Sequence, residues 1–140
     1  LIQGVSAIGR VILPFLIFAS KTNNNIALAW LKHFDVYTKV SSAGAYRLLI
    51  INSHESHCSI EFQDYCKENK IITLCMPPHS SHILQPLDVV PYSLLKRHYS
   101  DRISLLARSR IYYINKETFL LAFKVAFKKM FTLENICAGF

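Results

Sequence analysis

With 140 residues, the chain is long enough for one domain with a modest core and too short for several. Hydrophobic residues make up 51% and aromatic residues 12% of it, and mean hydropathy is +0.24, a composition that excludes a disordered polymer. Sixteen Lys and Arg against nine Asp and Glu leave a net charge of +7, which favours a polyanionic partner such as nucleic acid, although a basic soluble protein carries the same signature.

The chain opens at Leu1 without a methionine, a charged n-region or a cleavage pattern, and reads as a fragment. Its longest apolar stretch, Val11 to Ala19, is broken by Pro14 and is far shorter than the ~20 helical residues that span a bilayer, so no membrane partner is expected. Within it, Val11–Phe18 is β-branched and aromatic and follows a turn signal at Gly9. It is predicted as a strand, the second arm of a hairpin, at an edge or bulge because of Pro14. Asn24 and Asn25 then precede apolar residues at Ala27, Trp30, Leu31, Phe34 and Tyr37, the spacing of an amphipathic helix ending near Lys39. After the turn-forming Ser41–Gly44, the continuous run Leu48–Ile51 is predicted as a strand buried on both faces at the sheet centre.

Ser59 is placed to cap a helix with Glu61 in its first turn and Phe62, Tyr65 and Cys66 inward, stopped by Asn69. Ile71–Met76 is predicted as a second buried strand, ended by Pro77 and Pro78, and Pro86 punctuates the loop that follows. Leu95, Tyr99, Ile103 and Leu106 mark a helix with Lys96, Arg97 and Arg102 on its open face. Asn115 caps a long helix with Phe119, Leu120, Phe123, Phe127 and Met130 inward, and Thr132 caps a final short one. The four cysteines, Cys58, Cys66, Cys75 and Cys137, lack CxxC spacing and read as reduced, buried, intracellular thiols. Strands alternating with helices point to an α/β layer fold with a partly parallel sheet, whose ligands bind beyond the carboxyl ends of the strands.

Two polar clusters fall at such ends: Asn52 to His57 after one strand, and His79 to Asp88 after the next. Adjacent parallel strands bring them together. His54, His57, His79 and His82 form two HxxH pairs able in principle to ligate Zn²⁺, but loop histidines more often bond to backbone and fix loop geometry.

The same residues resemble a known family. LLIINSHESH is similar to the LLILDGHGSH segment, and LCMPPHSSHILQPLDVVPYSLLKRHY to the LCLPPHTSHLLQPLDVGVFSPLKRAY segment, of pogo-like DDE transposases, with NNNIALAWLKHFDVYTKVSSAGAYR and FKKMFTLENICAGF extending the likeness over nearly the whole chain. The resemblance implies a ribonuclease H-like fold with a mixed, partly parallel sheet flanked by helices, here N-terminally incomplete. It implies one partial domain over residues 1–140 with a helical extension from about 93–140. It also implies a nuclear protein that acts on DNA, and three carboxylates holding two Mg²⁺ or Mn²⁺ ions for strand cleavage and transfer.

Carried over by position, the third acid of the family falls on Asp88 and the second on Asn52, with 35 residues (53–87) between them. Asn52 is a neutral amide, and the first acid is expected upstream of Leu1. A further connecting stretch of some tens of residues is expected to be missing between Lys21 and Thr22, and Ser53 and Val90 stand where the family has glycine. One carboxylate with waters binds Mg²⁺ weakly, so the expected function is a DDE endonuclease-derived domain that has lost cleavage and holds no metal tightly. Asp88 then serves as a loop residue bonded to backbone donors. Non-specific DNA binding is expected through Lys96, Arg97, Arg102, Arg108, Arg110, Lys124, Lys128 and Lys129, each of which also fits a solvated helix face. The alternatives are a domesticated DNA- or protein-binding module without catalysis and, with least support, a histidine-ligated zinc protein. The sequence leaves the oligomeric state open.

Overall fold

Fourteen residues free of proline and glycine, IALAWLKHFDVYTK, form helix α1 (Ile26–Lys39) in the computed structural model, which describes residues 1–17, 26–42, 44–52, 54–109 and 113–140. Ala27, Trp30 and Leu31 are buried along one stripe of α1, with Phe34 half-buried one turn on, as the three- and four-residue spacing dictates. Strand β1 (Arg47–Ile51) follows. A single 3₁₀ turn (Glu55–Cys58) then leads into α2 (Ile60–Glu68) and strand β2 (Ile71–Cys75). Ser59 caps α2 by accepting from the Phe62 N–H, and the Asn69 N–H closes it on Tyr65 and Lys67 carbonyls, as expected of these residues.

The two strands pair in parallel, Arg47 opposite Ile71 through Ile51 opposite Cys75, because the helical crossover through α2 carries the chain back to the same end. The chain forms two compact units, one of Leu1–Gly4 with Val11–Ser81 and the other of Val5–Arg10 with His82–Phe140. In the first, Leu49 and Ile51 of β1 and Ile71 of β2 pack with Trp30 and Leu31 of α1 and Phe62 and Cys66 of α2. Phe62 is fully buried and stabilises the unit by roughly 2–3 kcal/mol through apolar transfer.

The expectation that these strands are buried on both faces is corrected. Burial alternates, and Leu48 and Ile72, paired in register, are 60% and 54% exposed, as are Ile50 and Leu74 at 53% and 54%. Within the unit the helices cover one face of a two-stranded sheet, and the period of two sends every second side chain to the other.

The predicted strand at Val11–Phe18 is also corrected over its described residues, 11–17. Ile2 and Phe15 form an isolated antiparallel bridge with both hydrogen bonds made, 2.9 and 3.0 Å, and Ile12 N–H donates to the Gly4 carbonyl at 3.2 Å, so a hairpin-like pairing exists without a continuous strand. Pro14 cannot donate to a ladder, so the pairing around it does not grow into a continuous strand. The Gln3 amide reinforces the pairing by donating to the Ile12 carbonyl at 2.7 Å. Asn24 and Asn25, predicted to open the first helix, lie outside the described residues.

The expected loop after Pro78 contains two short helices, α3 (Ser81–Leu84) and α4 (Pro86–Val89), the latter in the second unit. Pro86 stands at the first turn of α4, where its fixed φ is already helical and its missing N–H costs nothing, so it starts a helix rather than interrupting a loop. Pro91 does the same for α5 (Pro91–Arg108), which packs on α6 (Lys116–Met130). The seam is aromatic. Tyr99 meets Phe119 edge-on at 5.7 Å, and Phe119, Phe123, Phe127 and Phe131, four residues apart, contact one another in turn down α6. Ala122 and Ala126, small and buried, complete that face. Asn115 caps α6 through the Thr118 N–H at 2.8 Å, and Thr132 caps α7 (Leu133–Cys137) through the Asn135 N–H at 3.2 Å. Gly9, at φ +75°, turns the 5–10 segment against Leu133, where any side chain would collide.

Candidate functional site

Residue 52 follows the last residue of β1, at the carboxyl end of the parallel pair, where α/β sheets place their chemistry. The Asn52 side chain is exposed, and its backbone carbonyl accepts a hydrogen bond from His57 Nδ1 at 2.9 Å. His57 is itself held on several sides. Its ring lies 5.4 Å from the buried Phe62 ring, its carbonyl accepts from Gln63 Nε2 at 2.7 Å, and its N–H closes the 3₁₀ turn on the His54 carbonyl at 2.9 Å. The segment after β1 is therefore anchored to α2, with position 52 fixed by backbone rather than by its own side chain.

Asp88 sits in the first turn of α4 with an exposed side chain, and its N–H donates to the Gln85 carbonyl at 2.9 Å. Its charge reaches Tyr92 one turn on: burial first, and the Asp88 carboxylate second, push the Tyr92 phenol up to about 12. Val90, between α4 and α5, has φ −125°, a conformation open to a β-branched residue, so the backbone at this position does not require glycine. Ser53 lies outside the described residues.

Of the four histidines, His54 and His57 meet, with ring centroids 6.0 Å apart. His79 occupies a left-handed turn at φ 60° after the Pro77–Pro78 pair, and His82 is exposed on α3. Among the described residues no group of three or more His, Cys, Asp or Glu stands close enough to hold a metal ion. The cysteine expectation is also corrected. All four are free thiols, but only Cys66 is buried, its thiol pushed up by that burial, whereas Cys58, Cys75 and Cys137 are exposed on turns and strand or helix ends.

Of the acid positions that the resemblance assigns within this sequence, one is a carboxylate, Asp88, and the other a neutral amide, Asn52. A pair of Mg²⁺ ions requires charged hard oxygens, one of them bridging. Asn52 and Asp88 by themselves do not supply that donor set.

The basic candidates on α5 and α6 are exposed throughout: Lys96, Arg97, Arg102 and Arg108 on the first, Lys124, Lys128 and Lys129 on the second. Arg110 lies outside the described residues. At 100° per residue, Arg97 and Arg108 fall on one line of α5, with Asp101 beside them, whereas Arg102 points well away. On α6 Lys124 and Lys128 are one turn apart, with the exposed Leu121 and Val125 among them. The charge is spread around the two helices rather than gathered in one stripe.

The sequence reading missed the strongest polar cluster of the first unit. Arg47, opening β1, pairs with Asp35 of α1, which is 6% exposed, and also donates to the Asp35 and Asn69 carbonyls and to Thr38 Oγ1, while the Tyr65 hydroxyl donates to Asp35 at 3.3 Å. The signal lay in Asp35 itself, a charged residue on the apolar line of Leu31 and Leu28.

Residues 18–140 match the family described as DDE superfamily endonuclease. A protein of Cochliobolus lunatus named MFS-type transporter clz9 is 44% identical over an alignment that covers all of this chain. The chain spans 18% of that relative's length, and the alignment runs to 164 positions against 140 residues here, so the relative carries at least 24 residues within the matched stretch that have no counterpart in this chain. The transporter name belongs to that protein; no described helix of this chain is long and apolar enough to cross a membrane. No solved structure matches the chain.

Proposed function

Starting from a chain that belongs to the DDE superfamily endonuclease family, we propose that it is a pogo-like, cleavage-inactive member of that family that retains non-specific DNA binding and acts in the nucleus. The observation that carries this reading is the side chain at position 52. It follows β1 at the carboxyl end of the parallel pair, the position to which the resemblance assigns the family's second acid, and it is an amide. An amide supplies a neutral oxygen and contributes no charge to offset that of two divalent ions, so of positions 52 and 88 only Asp88 attracts them. Mg²⁺ or Mn²⁺ then binds weakly, through waters and a single carboxylate.

DNA binding is supported by the net charge of +7 and by exposed cations on α5 and α6. Their spread around two helices fits phosphate contacts from several sides rather than readout of bases in a groove. The 24 or more residues found in the relative and lacking here are in keeping with the loss of a connecting stretch. The test is fluorescence anisotropy of a random-sequence duplex at several salt concentrations beside a plasmid-nicking assay. The reading expects micromolar, steeply salt-dependent binding without nicking; absence of binding at low salt would remove the DNA partner from it.

A further inference from the structure

DNA binding through the helices leaves the outer face of the parallel pair without a role. Leu48 of β1 lies opposite Ile72 of β2, and Ile50 opposite Leu74, and these four side chains are between 53% and 60% exposed. They form a two-by-two block of aliphatic side chains. Leu49, Ile51 and Ile71, on the opposite face, are held in the core and fix the register that keeps the block together. Tyr46, two residues before Leu48 and 63% exposed, extends the same line by the period of two. None of these five residues is charged, in a chain of net charge +7. A sheet with one face in water ordinarily alternates apolar with polar residues, and here both faces are apolar.

From this face we infer that the chain self-associates as a two-fold symmetric dimer, in which Leu48, Ile50, Ile72 and Leu74 of one copy pack against the same residues of a second. Area, charge and shape each point to a second copy as the occupant. A large apolar residue presents on the order of 200 Å² when fully open, so the five residues leave roughly 500 Å² open on each copy. Two copies then bury about 1,000 Å², the lower end of specific interfaces. Copies of charge +7 repel one another, which confines their contact to a face without cations, and an uncharged block offers a charged partner nothing to pair with. A two-fold axis places equal strips of aliphatic side chains face to face, at the spacing of about 10 Å found between stacked sheets. The small area makes the dimer weak and reversible. Salt screens the repulsion between copies and leaves the apolar contact, so association strengthens as salt rises, opposite in sign to DNA binding.

The test is sedimentation equilibrium of the full chain over a range of protein and salt concentrations. The inference expects a monomer–dimer equilibrium that shifts toward dimer as salt rises, and at least about a tenfold weaker association in the Ile50→Thr/Ile72→Thr double variant, whose threonines keep the β-branch that suits a strand. Ile60→Thr, at an aliphatic residue 76% exposed on α2, should associate as the parent does. A second measurement needs no substitution: in a mixture of isotope-labelled and unlabelled chains, nuclear Overhauser contacts between copies should join the methyl groups of Leu48, Ile50, Ile72 and Leu74. A chain that stays monomeric throughout, association that falls with salt, unchanged association in the double variant, or methyl contacts found only within one chain would each overturn it.

Discussion

The guanidinium of Arg47, the first residue of β1, grips the carboxylate of Asp35 in the third turn of α1, and both side chains are about nine-tenths buried. The same guanidinium reaches the carbonyl that ends α2, so one side chain ties together the helix before the sheet, the strand itself and the helix after it. Removing one member of a buried pair strands the other without water. Arg47→Ala is expected to destabilise the first unit by about 3 kcal/mol, Asp35→Ala by a similar amount, and the double variant by less than the two together. Denaturant unfolding of the four proteins measures this cycle, and additive losses would show that the pair is not coupled.

Tyr92 gives a pH dependence. Its phenol is pushed up to about 12 in the folded chain from an ordinary value of 10.0, chiefly by burial and then by Asp88. Between those values the native state keeps a proton that the unfolded chain has released, so the stabilisation is complete below pH 10 and is lost as pH rises toward 12. The amplitude is at most ~2 kcal/mol, reduced by the partial exposure of the ring. Tyr65 shifts in the same direction, led by burial and then by the Asp35 charge. Tyr92→Phe should flatten the fall in stability over pH 10–12, and an unaltered alkaline slope in that variant would contradict the assignment.

Much of this architecture is legible in the residues. The helices were predictable because their apolar residues recur at three and four and their starts carry Ser59, Asn115 and Thr132, each of which caps as expected. The parallel pair was legible from two short β-branched runs flanking a helix. The burial of that pair was not, because a run such as Leu48–Ile51 reads the same whether one face or both are covered. Pro86 misled for a related reason: the residue that breaks a helix interior also starts one, and only the position of its first turn distinguishes the cases. At the site, positions 52 and 88 were found through resemblance to a family, whereas the bond from His57 to the Asn52 carbonyl and the Arg47–Asp35 pair depend on contacts between elements that no spacing rule encodes.

DNA binding through dispersed cations has a graded signature. Each phosphate contact contributes about one counterion to the salt dependence, so Arg97→Ala and Lys128→Ala should each lower the slope of log K against log salt by about one, without changing sequence preference. Arg102→Ala, on another side of α5, should act additively with them. Anisotropy titrations over a range of salt read the slopes directly, and a variant that alters preference for one sequence over another would point instead to contacts with bases.

Restoring a carboxylate tests what position 52 lacks. Asn52→Asp adds one charged oxygen ligand beyond β1 without disturbing the backbone carbonyl that His57 holds. Its affinity for Mn²⁺, followed by calorimetry, should rise by about tenfold over the parent chain, the equivalent of ~1.4 kcal/mol. Equal affinities in the two proteins would mean that position 52 faces no metal.

The most direct measurement is nicking of supercoiled plasmid by the purified chain in Mg²⁺ and in Mn²⁺, with Asp88→Ala purified in parallel to expose any contaminating nuclease. The account predicts that the chain leaves the plasmid intact under both ions and is indistinguishable from Asp88→Ala. Nicking by the chain that disappears in Asp88→Ala would contradict it, because a working metal site would then exist with an amide at position 52.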